Sequence, residues 1–268
     1  MHSPARPAEA ALVRHGLVRV APEAWRVLLA AEPALAAGAV DAADIVDAAD
    51  IVDAADIVDA ADIVDAADVA ARSVLRDWAV RGWPLMVRRP GPCDAARPGV
   101  PLGLPLPPSL GKRRIGVSLA AEAIVSIERP PALDSLREVA PPAWRATLDA
   151  LDAITRRHRI VCRAFGSLAW QGLTGLPYLS ANSDLDLLFE LPPGFDAAGD
   201  GMAMLAAMLD DVAACEAGAP MRIDGEVIRV DGVGANWREL QAGQDEVMVK
   251  TETDVRLLAP RDFLAGAA

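Results

Sequence analysis

The residues best equipped for chemistry lie in one segment, FGSLAWQGLTGLPYLSANSDLDLLFE, residues 165–190. Asp184 and Asp186 flank a single leucine there. On a β-strand, side chains two residues apart share a face, which sets these carboxylates side by side at a Cα separation of about 7 Å. Two such carboxylates resist ionising together unless a cation joins them. Divalent metal is the natural partner, because Mg²⁺ prefers oxygen ligands and commonly shares its shell with substrate phosphates. A metal pair can also activate an attacking oxygen and stabilise a leaving one. Upstream, Gly166 permits close backbone approach to a phosphate, and Ser167 offers a hydroxyl donor. The competing reading is an ordinary half-buried strand with an acidic solvent face, and the preceding strand with its Gly-Ser end weighs against it.

A third carboxylate comes from MRIDGEVIRV, residues 221–230, in which Asp224 and Glu226 share a face by period two. The candidate catalytic set is therefore Asp184, Asp186, Asp224 and Glu226, with Asp184, Asp186 and Asp224 as the first-choice ligands of Mg²⁺ or Mn²⁺. Glu226 is nearly as good a third ligand. Cations that could oppose a polyphosphate sit at strand ends: Arg88 and Arg89, then Lys112, Arg113 and Arg114, then Lys250. Singly, each is more often a surface charge than a ligand. His15 and His158 lie beside arginines without an obvious Ser or Asp partner and read as structural or exposed. Trp170 and Tyr178 read as packing residues.

Hydrophobic periodicity supplies the elements that must position these groups. Residues 160–165 form a strand that ends at Gly166-Ser167, and 166–176 hold a turn and a short helix. A loop over 177–183 leads to a strand over 185–190. Residues 142–157 make an amphipathic helix with Trp144, Leu148, Leu151 and Ile154 near one side. Another helix spans 202–216, strands span 221–230 and 247–250, and 236–241 is a short helical piece. In the first half, an apolar segment over 11–20 precedes a helix near 22–31. Pro22 there occupies the first turn, where a missing N–H costs nothing. A helix finishes over 72–80, and 83–89, 112–117 and 123–128 are strand-like. Residues 90–108 are crowded with Pro and Gly and read as loop or linker. The order is α+β, with a smaller α/β domain over 1–130 and a mixed sheet with packed helices over 131–268.

The 268 residues suit one large domain or two small ones. Aromatics are few at 4%, so the core rests on Leu, Val, Ile and Ala. The net charge of −12 is local, because ten aspartates recur at every third position from Asp41 to Asp68. The 38 acidic residues less these ten leave 28 against 26 basic ones. No basic face for nucleic acid is expected. Cys93, Cys162 and Cys215 are scattered without a CxxC pair, which argues against zinc or a disulfide framework and fits a reducing cytosol. The first ten residues lack an apolar h-region, and no stretch has the apolar length of a membrane span. A cytoplasmic protein without a membrane partner is expected.

The aspartates belong to a hexad, DAADIV four times over 41–64 and DAADVA over 65–70. On a helix six residues advance about 600°, so each Ile lands about 120° from the last and no apolar stripe forms. Asp is a poor helix interior residue, and pairs three apart repel. Five hexads give too few coils for a β-helical solenoid, and the glycines that turn calcium loops are absent. The repeat reads as a frayed helix or mobile insert without a catalytic role, tolerated because loop-closure entropy grows slowly with length. An acidic interaction segment is the other reading.

The Gly-Ser…Asp-x-Asp arrangement resembles the polymerase-β-type nucleotidyltransferase superfamily. In finer detail, GSLAWQGLTGLPYLSANSDLDLL, RIDGE, NWREL and VMVK resemble the malonate decarboxylase holo-acyl-carrier-protein synthase family, also called phosphoribosyl-dephospho-CoA transferase. RHGLVRV, WPLMVRR, VPLGLPLP and GKRRI of the first half fit it too, and the repeat over 41–70 stands outside it as an insertion. The resemblance implies a nucleotidyltransferase-like second half. It implies transfer of phosphoribosyl-dephospho-CoA from triphosphoribosyl-dephospho-CoA to a serine of the apo acyl-carrier subunit of malonate decarboxylase, with loss of pyrophosphate. Asp184 and Asp186 would then bind Mg²⁺ and help activate that serine, Asp224 or Glu226 would complete the carboxylates, and Gly166 and Ser167 would touch phosphate. Arg88, Arg89, Arg113, Arg114 and Lys250 would contact substrate, and from charge alone the basic residues of the first half could instead face an acidic carrier. The alternatives are a metal-dependent nucleotidyltransferase with another acceptor, and a non-catalytic binding protein of the same fold.

Overall fold

A computed structural model describes residues 12–30, 57–59, 66–91, 94, 99–111, 114–195 and 199–266. The chain divides into two compact units, Met1–Arg129 and Pro130–Ala268. Both are mixed α+β. Among the described residues, no helix is long and apolar enough to cross a membrane.

In the first unit, β1 (Leu17–Val20) leads to α1 (Pro22–Ala30), then β2 (Ile57–Asp59), α2 (Ala66–Arg81), β3 (Leu85–Val87), β4 (Val100–Pro105), β5 (Arg114–Leu119) and β6 (Ile124–Glu128). They form one sheet in the order β2-β5-β4-β3-β1-β6. Alternating residues such as Val18, Leu85, Leu102, Leu104 and Ile115 are buried, each contributing about 1.5–3 kcal/mol of hydrophobic stabilisation. Trp78 of α2 is fully buried and donates its indole N–H to the Pro84 carbonyl at 2.9 Å.

Two expectations are corrected here. The Pro- and Gly-rich stretch 90–108 contains β4, a central strand. Its prolines, Pro101 and Pro105, fall near its two ends, where the three-residue β3 demands little from their missing N–H groups. Pro101 still accepts the Arg88 N–H at 3.1 Å. Within the repeat, 57–59 pair in parallel with β5, Val58 beside Ile115, as an edge strand and not as part of a frayed helix. The β-branched Ile-Val pair suits that role. The last hexad enters α2, and 41–56 and 60–65 lie outside the described residues.

Arg88 organises the turn after β3. Its guanidinium forks onto Asp94 at 2.5 and 2.6 Å and donates to the carbonyls of Leu102 (3.0 Å) and Arg89 (3.2 Å). Gly116 leaves room for it, since a Cβ there would lie 3.2 Å from Arg88 Nη2. Asp94 also accepts the Gly91 N–H at 2.6 Å and the Ser118 hydroxyl at 3.2 Å.

In the second unit, short 3₁₀ turns at Leu133–Leu136 and Pro142–Trp144 precede α3 (Arg145–Arg157). Arg156 and Arg157 complement the helix dipole at its C-terminus, and Arg159, in the left-handed region at φ 58°, turns the chain out of it. Then follow β7 (Val161–Ala164), α4 (Gly166–Thr174), β8 (Leu185–Glu190), α5 (Gly201–Glu216), β9 (Ile223–Ile228), β10 (Gly234–Asn236), α6 (Trp237–Gln241), β11 (Val247–Lys250), β12 (Val255–Leu258) and α7 (Pro260–Ala265). The sheet order is β12-β11-β10-β9-β8-β7, with β8 and β9 parallel and the other pairs antiparallel. A parallel pair needs a long crossover, which α5 supplies. Leu185, Leu187, Phe189, Ile223 and Val227 join one core with Leu148 and Leu151 of α3 and Leu205, Met208 and Val212 of α5. Residues 184, 186, 222, 224 and 226 alternate with that buried set. β10, β12 and α7 go beyond the elements expected, being too short to establish a period.

Replacing Arg88 with Met leaves the Asp94 side chain, 9% exposed, without its ion pair. The expected loss is about 2–4 kcal/mol at pH 7, read by urea unfolding. Burial opposes the Asp94 charge, but the bonds from Arg88, Gly91 and Ser118 hold its pKa below the ordinary 3.8. A depressed carboxylate stabilises the fold above its unfolded pKa and ceases to do so as pH falls through the folded value. The gap between wild type and Arg88→Met should therefore narrow between pH 5 and pH 2, and a gap independent of pH would refute this account.

Candidate active site at the head of the parallel strand pair

The parallel register sets Leu185 beside Ile223, Asp186 beside Asp224 and Leu188 beside Glu226. One step earlier, Asp184 lies next to Arg222. Leu185 and Ile223 enter the core, so Asp184, Asp186, Arg222 and Asp224 share the opposite face as a two-by-two patch. Arg222 spans two of its carboxylates, with Nη1 3.5 Å from Asp184 Oδ2 and Nη2 3.9 Å from Asp224 Oδ2.

Two glycines make this approach possible. Gly166 opens α4 at φ 62°, and a Cβ there would lie 1.9 Å from Asp186 Oδ2. Only glycine lets the helix start rest against that carboxylate. The adjoining Phe165 N–H donates to the Asp186 carbonyl at 3.0 Å, fixing strand and helix start together. Gly225 has φ 151°, and a Cβ there would come within 2.1 Å of the Leu187 carbonyl oxygen, so β8 and β9 meet closely beside the paired aspartates. Its N–H donates to Asp224 Oδ1 at 2.8 Å.

Polar braces hold the two approaches to the patch. Gln171 of α4 accepts the N–H groups of Tyr178 and Leu179 at 3.2 and 3.1 Å and donates to the Val139 carbonyl at 3.3 Å. Ser183 Oγ accepts the Ser180 N–H at 2.9 Å, closing the turn that delivers Asp184. On the other side, Glu216 at the end of α5 accepts the Ile223 N–H at 2.8 Å and bonds Arg238. Arg238 donates in turn to the Ile223 carbonyl at 2.7 Å. Burial works against the Glu216 charge, but Arg238 and the Ile223 N–H hold its pKa below the usual carboxylate value. Ile223, gripped at both N–H and C=O, fixes Arg222 and Asp224 on either side of it.

The remaining expected residues divide. Glu226 and Lys250 are both buried and pair at 3.4 Å, so this acid is balanced by this cation, while Asp224 stands opposite Asp186. Gly166 and Ser167 form the start of α4. Arg88 is committed to Asp94 and to backbone carbonyls, and Arg89 and Arg114 belong with it to the first unit. Arg113 and Lys112 lie outside the described residues. Trp170 and Tyr178 are buried, as packing residues should be, and their rings lie 6.5 Å apart. His158 has the acidic partner that its neighbours in sequence do not reveal: Asp211 of α5, 2.9 Å from Nε2.

Among the described residues, no three His, Cys, Asp or Glu side chains converge tightly enough to hold a metal ion as they stand. The donors are nevertheless of the kind a hard divalent cation takes, carboxylate oxygens from adjacent strands held by glycines at close range. A guanidinium already supplies positive charge to two of them.

Residues 132–261 match the family described as the C-terminal domain of phosphoribosyl-dephospho-CoA transferase MdcG, and residues 13–130 match its N-terminal domain. A phosphoribosyl-dephospho-CoA transferase of Bradyrhizobium diazoefficiens is 39% identical over 267 residues, covering 100% of this chain and 99% of that protein. The chain belongs to the phosphoribosyl-dephospho-CoA transferase family. Another such transferase, from Xanthomonas euvesicatoria pv. vesicatoria, is 38% identical over 194 residues, 72% of this chain and 86% of that protein. No solved structure matches.

In this member of the transferase family, sequence reasoning missed Arg222, Gln171 and the Glu216–Arg238 brace. Arg222 was within reach of period two, being two residues before Asp224 on the same strand. Gln171 and Glu216 act through contacts across the fold, which spacing does not disclose.

Gly166→Ala should cost about 1–3 kcal/mol for the left-handed backbone, with a further cost for overlap with the Asp186 carboxylate. In an Asp186→Ala background the overlapping oxygen is gone, so the same substitution should cost at least about 1 kcal/mol less. Urea unfolding of the four proteins measures this coupling, and strict additivity would show that Gly166 does not rest on Asp186.

Proposed function

We propose that this protein transfers the phosphoribosyl-dephospho-CoA group from triphosphoribosyl-dephospho-CoA to a serine of the apo acyl-carrier subunit of malonate decarboxylase, releasing pyrophosphate. The observation that carries the reading is the juxtaposition of Asp184, Asp186 and Asp224 beside Gly166, in a chain related over its whole length to phosphoribosyl-dephospho-CoA transferases. Strand, Gly-Ser, helix, a strand with two aspartates and a third acid on the adjoining strand support reading the second unit as nucleotidyltransferase-like. A cytoplasmic location accords with such a carrier-modifying role.

The reaction is a phosphoryl-centre substitution. The serine oxygen bonds to the α-phosphorus, the bond from that phosphorus to the bridging oxygen of the β-phosphate breaks, and pyrophosphate departs with the electron pair. Asp184, Asp186 and Asp224 would hold Mg²⁺ or Mn²⁺, which when bound supplies Lewis-acid stabilisation of the phosphate charge. The serine proton passes to a carboxylate of this set. The start of α4 presents backbone N–H groups and the Ser167 hydroxyl to phosphate oxygens. Glu226, paired to Lys250, serves the reaction by keeping the floor of the patch charge-balanced.

The deciding experiment is intact mass of the purified apo acyl-carrier subunit after incubation with this protein, Mg²⁺ and triphosphoribosyl-dephospho-CoA. The expected result is a gain of one phosphoribosyl-dephospho-CoA group, abolished by EDTA and slowed at least about a hundredfold by Asp186→Ala. No gain with folded protein and a working control enzyme would remove this acceptor and favour another nucleotidyl acceptor. An unchanged rate in Asp186→Ala would remove the carboxylate mechanism.

A further inference from the structure

Arg222 is placed unusually for a strand residue beside a carboxylate site. Its backbone carbonyl accepts the Leu185 N–H at 2.9 Å, which ties its Cα to the head of β8 between the two aspartates of that strand. Its guanidinium reaches Asp184 and Asp224 at 3.5 and 3.9 Å while remaining 56% exposed. These separations are too long for the short forked bonds a structural arginine makes, as Arg88 makes to Asp94 at 2.5 and 2.6 Å. Loss of this contact costs the fold little, because exposed ion pairs are worth about 0–1 kcal/mol. The backbone on either side is rigidly gripped, through Ile223 by Glu216 and Arg238. An exposed cationic head thus stands beside a hydrogen-bonded stretch of backbone at the edge of the carboxylates.

We infer that Arg222 is an exchangeable counter-ion that neutralises Asp184 and Asp224 until divalent metal enters, and then turns to the triphosphate of the substrate. This rests on the reading of Asp184, Asp186 and Asp224 as metal ligands. A divalent cation on those oxygens repels the guanidinium and takes over the charge it was balancing. Phosphate oxygens that share the metal are then the nearest anions, and a guanidinium binds them through two parallel N–H bonds. One side chain would thereby lower the affinity for metal alone and raise the affinity for metal together with a polyphosphate. The two ligands would enter in a coupled way, since removing the guanidinium from the carboxylates assists the metal and holding it on phosphate keeps it away.

The test measures Mn²⁺ binding by electron paramagnetic resonance, and binding of inorganic triphosphate in the presence of Mn²⁺ by calorimetry, on the full chain. Wild type, Arg222→Met, Arg222→Lys and Asp186→Ala are compared, with urea unfolding to confirm that each is folded. Arg222→Met should bind Mn²⁺ alone about 2–5-fold more tightly than wild type, as loss of an exposed competing pair allows. It should bind inorganic triphosphate at least about tenfold more weakly, the loss of a charge-assisted fork. Arg222→Lys, which keeps the charge, should retain the wild-type Mn²⁺ affinity and bind triphosphate less well than wild type. Mn²⁺ binding by wild type that Asp186→Ala loses, with no tightening or with undiminished triphosphate affinity in Arg222→Met, would overturn the role of Arg222 and leave the metal site standing. Absence of Mn²⁺ binding in wild type would overturn the metal site and the inference together.

Discussion

Like charges on directly paired strand positions repel, typically by a few tenths to about 1 kcal/mol, and Asp186 beside Asp224 is such a pair. A fold that keeps them there must hold both strands against the repulsion and supply a cation. Both provisions are visible. Leu185, Leu187, Ile223 and Val227 anchor the strands in a dense core on the far face, and Gly225 lets the strands close up where any Cβ would strike the Leu187 carbonyl. The cation at hand is Arg222. The same repulsion that destabilises the sheet locally makes positive charge favourable beside this pair, where Arg222 lies against Asp224.

The neighbouring acid shows what happens when the charge is satisfied internally. Glu226 lies two residues beyond Asp224 on the same strand, yet its side chain is 8% exposed and is paired with Lys250, itself 9% exposed. Leaving either partner alone in that setting would strand a buried charge at a cost of several kcal/mol. Glu226 is therefore bound into the fold, whereas Asp184 and Asp224 are about a third exposed and only loosely paired to Arg222. Two acids two residues apart on β9 are set in different surroundings by one lysine that arrives from β11.

The reading from sequence succeeded where local rules suffice. The boundaries of β8 and β11 follow from hydrophobic runs, and α5 from its length and alanine-leucine content. Period two alone puts Asp184 and Asp186 on one face, and the parallel pairing of β8 with β9 sets Asp224 beside Asp186. Glu226 and Asp224 were indistinguishable at that level, since the lysine that separates them is 24 residues from Glu226 in the chain. Arg88 misled in the opposite way: a cation at a strand end looks available, and only the fold brings Asp94 and two carbonyls around it. β4 was hidden by Pro101 and Pro105, which are strong breakers in general and harmless where the neighbouring strand is only three residues long.

The aspartate repeat and the carboxylate patch draw on different parts of the chain. Every contact named as positioning the carboxylates, from the Gln171 bond to Val139 through the Arg238 grip on Ile223, lies within residues 139–238. The repeat lies in the other compact unit, and its described part adds a short strand at the outer edge of that unit's sheet, beside β5. Lengthening the chain there raises the entropy of closing the segment only logarithmically, by about 0.6 kcal/mol for each doubling. Adding a strand at an edge leaves the pairings of β5 with β4 as they are. The acid-rich segment dominates the net charge of the molecule, and within the second unit Asp186 has Asp224 beside it, with Arg222 against Asp184 and Asp224. The aspartates that dominate composition are thus not the ones paired across β8 and β9.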